Sequence, residues 1–373
     1  MTNKPQFVGE CRRVKLNEIC SKGKSSLRQK DVINDGPYSV YGASGVVGTT
    51  SDYQNEIPYV AVVKDGAGVG RANACEPMTS VLGTMQALIP NPNVERDYLL
   101  YLVRSLQLGG GFSGSTIPHI YFKDYGKIEV PLPSLEAQKR IVSQLGLIEA
   151  QIEQAEAQIT QLDQLVKSRF VEMFGDPAVN SHGLPINSLS SLGTLERGKS
   201  KHRPRNAPEL RGGPDGPYPL IQTGDIANAG LYLDTYGDTY TELGLQQSRM
   251  WPKGTLCITI AANIAQTSIL TIDACFPDSV VGFTPKVGIS NVFLHYWFSF
   301  FQGVLEEQAP QAAQKNINLR ILSNLGVITP AIELQEEFTD FVLQVDKSRF
   351  VAQQQIEKLQ MLYDSLAQEY FGD

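Results

Sequence analysis

Two stretches of the chain, 134–176 and 331–373, carry apolar residues at alternating steps of four and three with polar residues between them. That spacing is the seam of a coiled coil, since 3.5 residues per repeat keeps one apolar line on one side of a helix. In the first stretch the seam is Ile141, Leu145, Ile148, Ile152, Ala155, Ile159, Leu162, Val166 and Met173. In the second it is Phe338, Val342, Val345, Ala352, Ile356, Leu359, Tyr363, Leu366 and Tyr370, interrupted only at Arg349. Each stretch opens just after a proline, holds no further proline and closes on Phe-Gly-Asp, a glycine where a helix stops. A helix of about 40 residues rises roughly 60 Å. A seam of that length needs a partner of similar length, and each stretch supplies one for the other.

The two stretches are copies. PLPSLEAQKRI…SRFVEMFGD (131–176) returns as ITPAIELQEEF…LAQEYFGD (328–373) at an ungapped offset of 197 residues, with Gln138 falling on Gln335 and Phe174 on Phe371. The segments ahead of them also correspond. VKLNEIC…GKS matches INSLSSLG…GKS, and GPYSVYGAS matches GPYPLIQTG. DYLLYLVRSL (97–106) resembles VFLHYWFSFF (292–301) in apolar spacing, which predicts a short helix on a core. Strand-like runs bounded by glycine, PYVAVVKDG and TLCITIAAN, lie between. The expected fold is α+β: two similar globular domains, 1–133 and 177–330, each followed by a long helix, 134–176 and 331–373. If the helices pair antiparallel, a pseudo-twofold axis relates the halves, an arrangement suited to reading two separated DNA half-sites. The alternative is two unrelated amphipathic helices, each packed on its own domain. The shared offset and equal length count against it.

A net charge of -7 disfavours DNA at first sight, because Lys and Arg neutralising phosphates supply most non-specific affinity. The distribution reverses that. Four basic against seven acidic residues in 134–176, and three against nine in 331–373, leave the rest of the chain at +2. Basic runs concentrate there, at Lys22, Lys24, Arg28 and Lys30, and at Arg197, Lys199, Lys201, Arg203 and Arg205. Five cysteines without a CxxC pair suggest neither a metal site nor a disulfide framework, and read as reduced thiols. The start of the chain lacks a signal-type apolar segment, and the most apolar run, Val292–Phe301, is too short to span a bilayer, so a cytoplasmic protein is expected.

At the repeated openings PLPSLEAQKRI and TPAIELQEEF and the ending SRFVEMFGD, the chain resembles the specificity subunit of type I restriction-modification enzymes over nearly its whole length. The resemblance implies two target-recognition domains separated by two long antiparallel coiled-coil helices, and a DNA-binding subunit without chemistry of its own. It implies partners as well: double-stranded DNA, two modification subunits that methylate adenine with S-adenosylmethionine, and restriction subunits in a larger complex. No cofactor is expected in this chain. Glu336, Glu337 and Asp340 depart from the basic or neutral residues of the first copy, which leaves two unequal docking faces for those partners.

Gly193–Ser200 satisfies the phosphate-loop pattern GxxxxGK[ST], but Pro204 and Pro208 forbid the helix that motif needs after its lysine. The expectation is a basic loop touching DNA phosphates. KDGAGVG (64–70) and GGGFSGS (109–115) read as turns, or as places where backbone amides approach DNA. The candidate DNA contacts of the first half are Lys22, Lys24, Ser25, Arg28, Lys64, Arg71, Ser115, Thr116 and His119. Those of the second are Arg197, Lys199, Lys201, Arg203, Arg205, Asn263, Gln266, Gln314, Lys315 and Asn316. Asn and Gln suit adenine and Arg suits guanine in the major groove. Ile141, Leu145, Ile148, Ile152, Ile159, Leu162, Val342, Val345, Ile356 and Leu359 are the residues expected to form the coiled coil and its docking surface. Methyltransferase tetrapeptides, HExxH and GxSxG are absent, and His295, within FLHYWF, reads as a packed histidine. Two other readings stand beside DNA recognition: a coiled-coil scaffold for proteins, and a nucleotide-binding protein acting through Gly198-Lys199-Ser200.

Overall fold

The computed structural model describes residues 11–66, 68–110, 118–202, 204, 207–261, 264–308 and 317–372. The chain divides into two compact units, one made of Met1–Ala157 with Ala352–Asp373, the other of Gln158–Val351. The two long helices run Leu135–Phe174 and Ile332–Phe371, and each contributes to both units.

The first unit is layered around an antiparallel sheet in the order Cys20–Lys22, Met85–Pro90, Tyr59–Val63, Ala72–Cys75. Side chains alternate across its pleat. Val60, Val62 and Leu88 face a core shared with the helix Arg96–Ser105 and with Ile141, Leu145 and Phe371 of the long helices. Tyr59, Ala61, Val63, Met85 and Ala87 face the other way, into a second cluster with Val81. With both faces covered, the strand has no polar position to show, which is why PYVAVV is continuously apolar.

The second unit repeats this plan. Its sheet runs Gly193–Arg197, Val280–Pro285, Leu256–Thr259, Thr267–Leu270, with Tyr232–Leu233 added in parallel at the edge. Leu256, Ile258, Val281 and Phe283 pack on the helix Asn291–Gln308, while Cys257, Leu270 and Phe276 face Trp251 on the opposite side.

Within each unit the long helices pair antiparallel. Tyr370 Oη donates to Gln144 Oε1 at 2.5 Å in the first unit. In the second, Arg349 meets Asp163 at 2.5 Å and Arg169 meets Glu337 at 2.8 Å. Two sequence irregularities are thereby explained. Glu337 departs from the first copy because it pairs with Arg169, and Arg349 interrupts the seam because it bridges Asp163 and Asp346. The seam departs from the expected spacing in one place. After Val166 it continues through Phe170 and Phe174, both fully buried, and Met173 is only half-buried. Phe170 packs its ring against Phe293 at 5.5 Å and Phe338 at 5.4 Å, so the aromatic pocket of the second unit selects these positions.

A repeated polar clasp ties each long helix to the unit it follows. Gln138 and Gln335 are completely buried. Gln138 Oε1 accepts from the backbone N–H of Glu95 at 2.8 Å, and its Nε2 donates to the carbonyls of Asn93 and Pro133, both at 3.0 Å. Gln335 does the same with Ser290 N–H at 2.9 Å and the carbonyls of Pro330 at 2.9 Å and Gly288 at 3.4 Å. Glu95 and Ser290 in turn accept from Tyr98 N–H and Phe293 N–H at the start of the next helix.

Candidate nucleic-acid interface

Strand register places the candidate residues of the first unit at one end of its sheet. Lys22 lies opposite Leu88, the Gly23 N–H bonds to the Ala87 carbonyl at 2.9 Å, and the Ala87 N–H donates to Ser25 Oγ at 2.8 Å. At that same end Val63 lies opposite Met85, and Lys64 N–H reaches the Thr84 carbonyl at 3.0 Å. Arg71 immediately precedes Ala72, which lies opposite Val62. His119 is drawn in by a 2.6 Å contact from its Nδ1 to Asp65 Oδ1, and the Ile120 N–H bonds to the Lys64 carbonyl at 3.0 Å. Lys22, Lys24, Ser25, Arg28, Lys64, Arg71 and His119 therefore gather from four separate segments.

The second unit builds the corresponding end from corresponding parts. Arg197 lies opposite Val281, and the Gly198 N–H bonds to the Val280 carbonyl at 2.9 Å. The loop after Thr259 closes at Gln266, whose N–H donates to Thr259 Oγ1 at 3.0 Å. The Ile317 N–H bonds to the Ile260 carbonyl at 2.9 Å, the counterpart of Ile120 on Lys64. Arg197, Lys199, Lys201 and Gln266 converge here. Ser115, Thr116, Arg203, Arg205, Asn263, Gln314, Lys315 and Asn316 lie outside the described residues.

Both Gly-Lys-Ser turns are held so that lysine faces solvent. Asn55 is buried and grips Lys24 from both sides: its Oδ1 accepts from Lys24 N–H and its Nδ2 donates to the Lys24 carbonyl, each at 3.0 Å. Ser248 Oγ donates to the Lys199 carbonyl at 3.0 Å, and Gln247 Oε1 accepts from His202 N–H at 3.1 Å. Neither glycine leaves room for a side chain. A Cβ on Gly23 would stand 2.5 Å from Asn55 Oδ1, and one on Gly198 would stand 2.3 Å from the carbonyls of Phe276 and Pro277. Lys24, Lys199 and Lys201 are exposed, as are Lys22 and Arg71. Lys64 and Gln266 are half-buried. Arg28 is partly committed, since its N–H and its Nε both donate to Asp31. Those bonds, the backbone one foremost, hold the Asp31 carboxyl below its ordinary range. Arg197 donates from Nε and Nη2 to the Asp278 carbonyl at 2.9 and 2.6 Å.

The phosphate-loop pattern is not a phosphate loop in this fold. Gly193–Arg197 is a strand paired along its length with Val281–Pro285, and among the described residues no helix starts at Lys199, the next helical turn being Pro208–Leu210. Among the described residues no group of three His, Cys, Asp or Glu side chains could hold a metal ion. His295 sits in its helix with Nδ1 3.0 Å from Thr267 Oγ1, and burial pushes its pKa down to about 4. No described helix is long and apolar enough to cross a membrane.

The seam residues are turned into the chain. Ile141, Leu145, Ile148, Val342 and Val345 are buried, and Ile152, Ile159, Leu162, Ile356 and Leu359 are half-buried. Other apolar positions of the helices are more open. Leu343, Phe350 and Val351 in the second unit, and Leu147, Met361 and Leu362 in the first, have 40–65% of their surface open. Asn55, Gln247 and Ser248, which shape the basic turns, were not evident from sequence, because each acts on a segment about 30 to 50 residues away.

The fold is built as two copies of a sheet-and-helix unit, each with a basic turn at the same sheet end, and so defines a protein with an internal structural repeat. The chain belongs to the family described as the type I restriction modification DNA specificity domain, whose model matches residues 10–164 and 189–361. It is 26% identical over 259 residues to the type I restriction enzyme EcoBI specificity subunit of Escherichia coli, an alignment covering 62% of this chain and 54% of that protein. The chain thus spans about half the length of that curated relative. Among solved structures it resembles the S subunit of a type I restriction-modification system from M. genitalium, with a TM-score of 0.60 and 16% identity over 100% of this chain and 98% of that one. A second structure, concerned with complex assembly and conformational transition of the type I R-M system, gives a TM-score of 0.58 at 16% identity over 99% of each chain. At that identity the two structures establish the shared fold.

Proposed function

We propose that this chain is the DNA-recognition subunit of a type I restriction-modification complex, each globular domain reading one half of a bipartite, asymmetric site. The domains 1–133 and 177–330 are the readers. The helices 134–176 and 331–373 set the spacing of the half-sites and dock two modification subunits through their outward residues. Adenine-N6 methylation, with S-adenosylmethionine as donor, belongs to those partners, and restriction subunits join the larger assembly. The chain itself contributes binding and no chemistry, and works in the cytoplasm.

One observation carries this reading: both units deliver a clamped Gly-Lys-Ser turn and a neighbouring strand-connecting loop to the same end of equivalent sheets. Lysines held outward by backbone clamps suit phosphate contacts, which fix register, while the adjoining loops are free to read base edges. The deciding experiment is a genome-wide map of N6-methyladenine in cells with and without the gene. A bipartite motif that disappears with the gene supports the proposal. An unchanged map in cells whose modification subunit is expressed refutes it.

A further inference from the structure

Tyr121 is a large aromatic residue left open at the basic end of the first unit, with 49% of its surface exposed. It follows Ile120, whose N–H is fixed to the Lys64 carbonyl at 3.0 Å, so its position is set by the same sheet end that carries the candidate lysines. Two lysines stand close to it and to its neighbour Phe122. Lys123 Nζ lies over the Tyr121 ring at 5.3 Å, and Lys22 Nζ lies 5.8 Å from the Phe122 ring. The His119 ring is nearly parallel to that of Tyr121, at 16° and 6.5 Å, and is itself engaged with Asp65. Beside the ring opens a cavity of about 490 Å3, lined by Leu106, Leu108 and Ile120 together with the polar Gln107, His119 and Asp124. A flat ring flanked by cations, next to a partly apolar opening, is how proteins present a surface for an unstacked nucleobase, because every base has a π-face and the flanking cations hold its phosphates.

The equivalent position of the second unit carries no aromatic ring. The offset of 197 places Asn318 where Tyr121 stands. Asn318 is already used, its Oδ1 accepting from Ile321 N–H at 2.9 Å as the cap of the helix Leu319–Ser323. We infer that Tyr121 stacks on a base that leaves the duplex stack in the half-site bound by the first unit, an aromatic contact that Asn318, at the equivalent position of the second unit, cannot make. The inference rests on the DNA-recognition reading above.

The test uses the full chain assembled with its modification subunits. The probe is duplex DNA carrying the bipartite site mapped from N6-methyladenine, with 2-aminopurine substituted at successive positions of each half. Tyr121→Leu should weaken binding about ten- to hundredfold, with the slope of log affinity against log salt unchanged because no phosphate contact is lost. Tyr121→Phe should stay within about twofold of the unaltered chain, since the stacking face remains. One aminopurine position, confined to one half-site, should change its fluorescence when the unaltered complex binds and keep its duplex value with Tyr121→Leu. Equal affinity for Tyr121→Leu, or a loss accompanied by a shallower salt slope, overturns the inference while leaving DNA recognition standing. Failure of the unaltered complex to protect either half-site overturns the DNA reading itself and this inference with it.

Discussion

Replacing Gln138 with leucine should loosen the first unit at one identifiable amide. The substitution nearly preserves volume but removes three hydrogen bonds of 2.8 to 3.0 Å made by a side chain with no exposed surface. A net bond is worth about 1 kcal/mol, and a buried donor left without an acceptor costs about 1 to 3 kcal/mol. The leucine recovers about 1 kcal/mol through apolar burial. The balance is a loss of about 3 to 5 kcal/mol, and at 1.4 kcal/mol per tenfold the opening that frees the Glu95 amide becomes roughly 140- to 4,000-fold more frequent. Native-state hydrogen exchange read by mass spectrometry on a peptide spanning 91–99 measures this directly. The equivalent peptide of the second unit, 286–294, serves as the control, since Gln335 holds Ser290 in the same way. Gln335→Leu should reverse the pattern. Unchanged protection of 91–99 in the Gln138→Leu chain would refute the reasoning, and equal loosening of both peptides would show that the clasps do not act locally.

Other outcomes follow from the same geometry. Lys24→Ala and Lys199→Ala should each reduce the salt slope of DNA binding by about 0.9, the amount expected for one lost phosphate contact. Steeper or unchanged slopes would remove these lysines from the interface. Gly198→Ala should lower the thermal midpoint and weaken DNA binding together, because the new methyl group meets two carbonyls that cannot retreat. Acid should weaken the second unit through His295. Its folded pKa of about 4 lies below the ordinary 6.5, so its contribution is complete above pH 6.5 and fades as pH falls toward 4. Some of the side chain remains exposed, so the loss is about 1 to 2 kcal/mol, below the ~3 kcal/mol of full burial. Urea denaturation at pH 7 and 4.5 should show it, and His295→Gln should flatten it. A thiol reagent should modify Cys11 before the other four cysteines, which are buried, with the Cys20 and Cys75 thiols pushed up to about 12 by that burial.

The long helices were legible because a seam repeated at a fixed offset leaves little freedom. The same rule gave Met173, which packs at the margin of the core, but missed that Phe174 beside it is fully buried; steps of four and three both offer an apolar residue there, and the aromatic pocket around Phe293 and Phe338 decides for Phe174. The strands were legible as PYVAVV and TLCITI, but not the small sheets against their second faces, whose strands are as short as two residues. At the candidate interface the basic runs announced themselves by composition. Asn55 did not, because a neutral amide clamping a backbone across the fold resembles any other polar loop residue. Tyr121 was within reach: HIYFKDY interleaves aromatic and basic residues directly after the Gly-rich segment.

The first unit draws on residues 352–373, and Phe371 sits in its core with its ring 5.6 Å from that of Tyr98. The second unit is continuous in sequence, from Gln158 to Val351. During synthesis, then, the part of the chain that emerges first is the part that must wait. Its sheet can form early, but the apolar surface reserved for Phe371 stays uncovered until more than 200 further residues have been added, while the second unit has everything it needs sooner. A chain interrupted between Val351 and Phe371 has its second unit finished and its first unit still open, so the exposed apolar face of the earlier domain is the mark by which quality control should recognise such a chain.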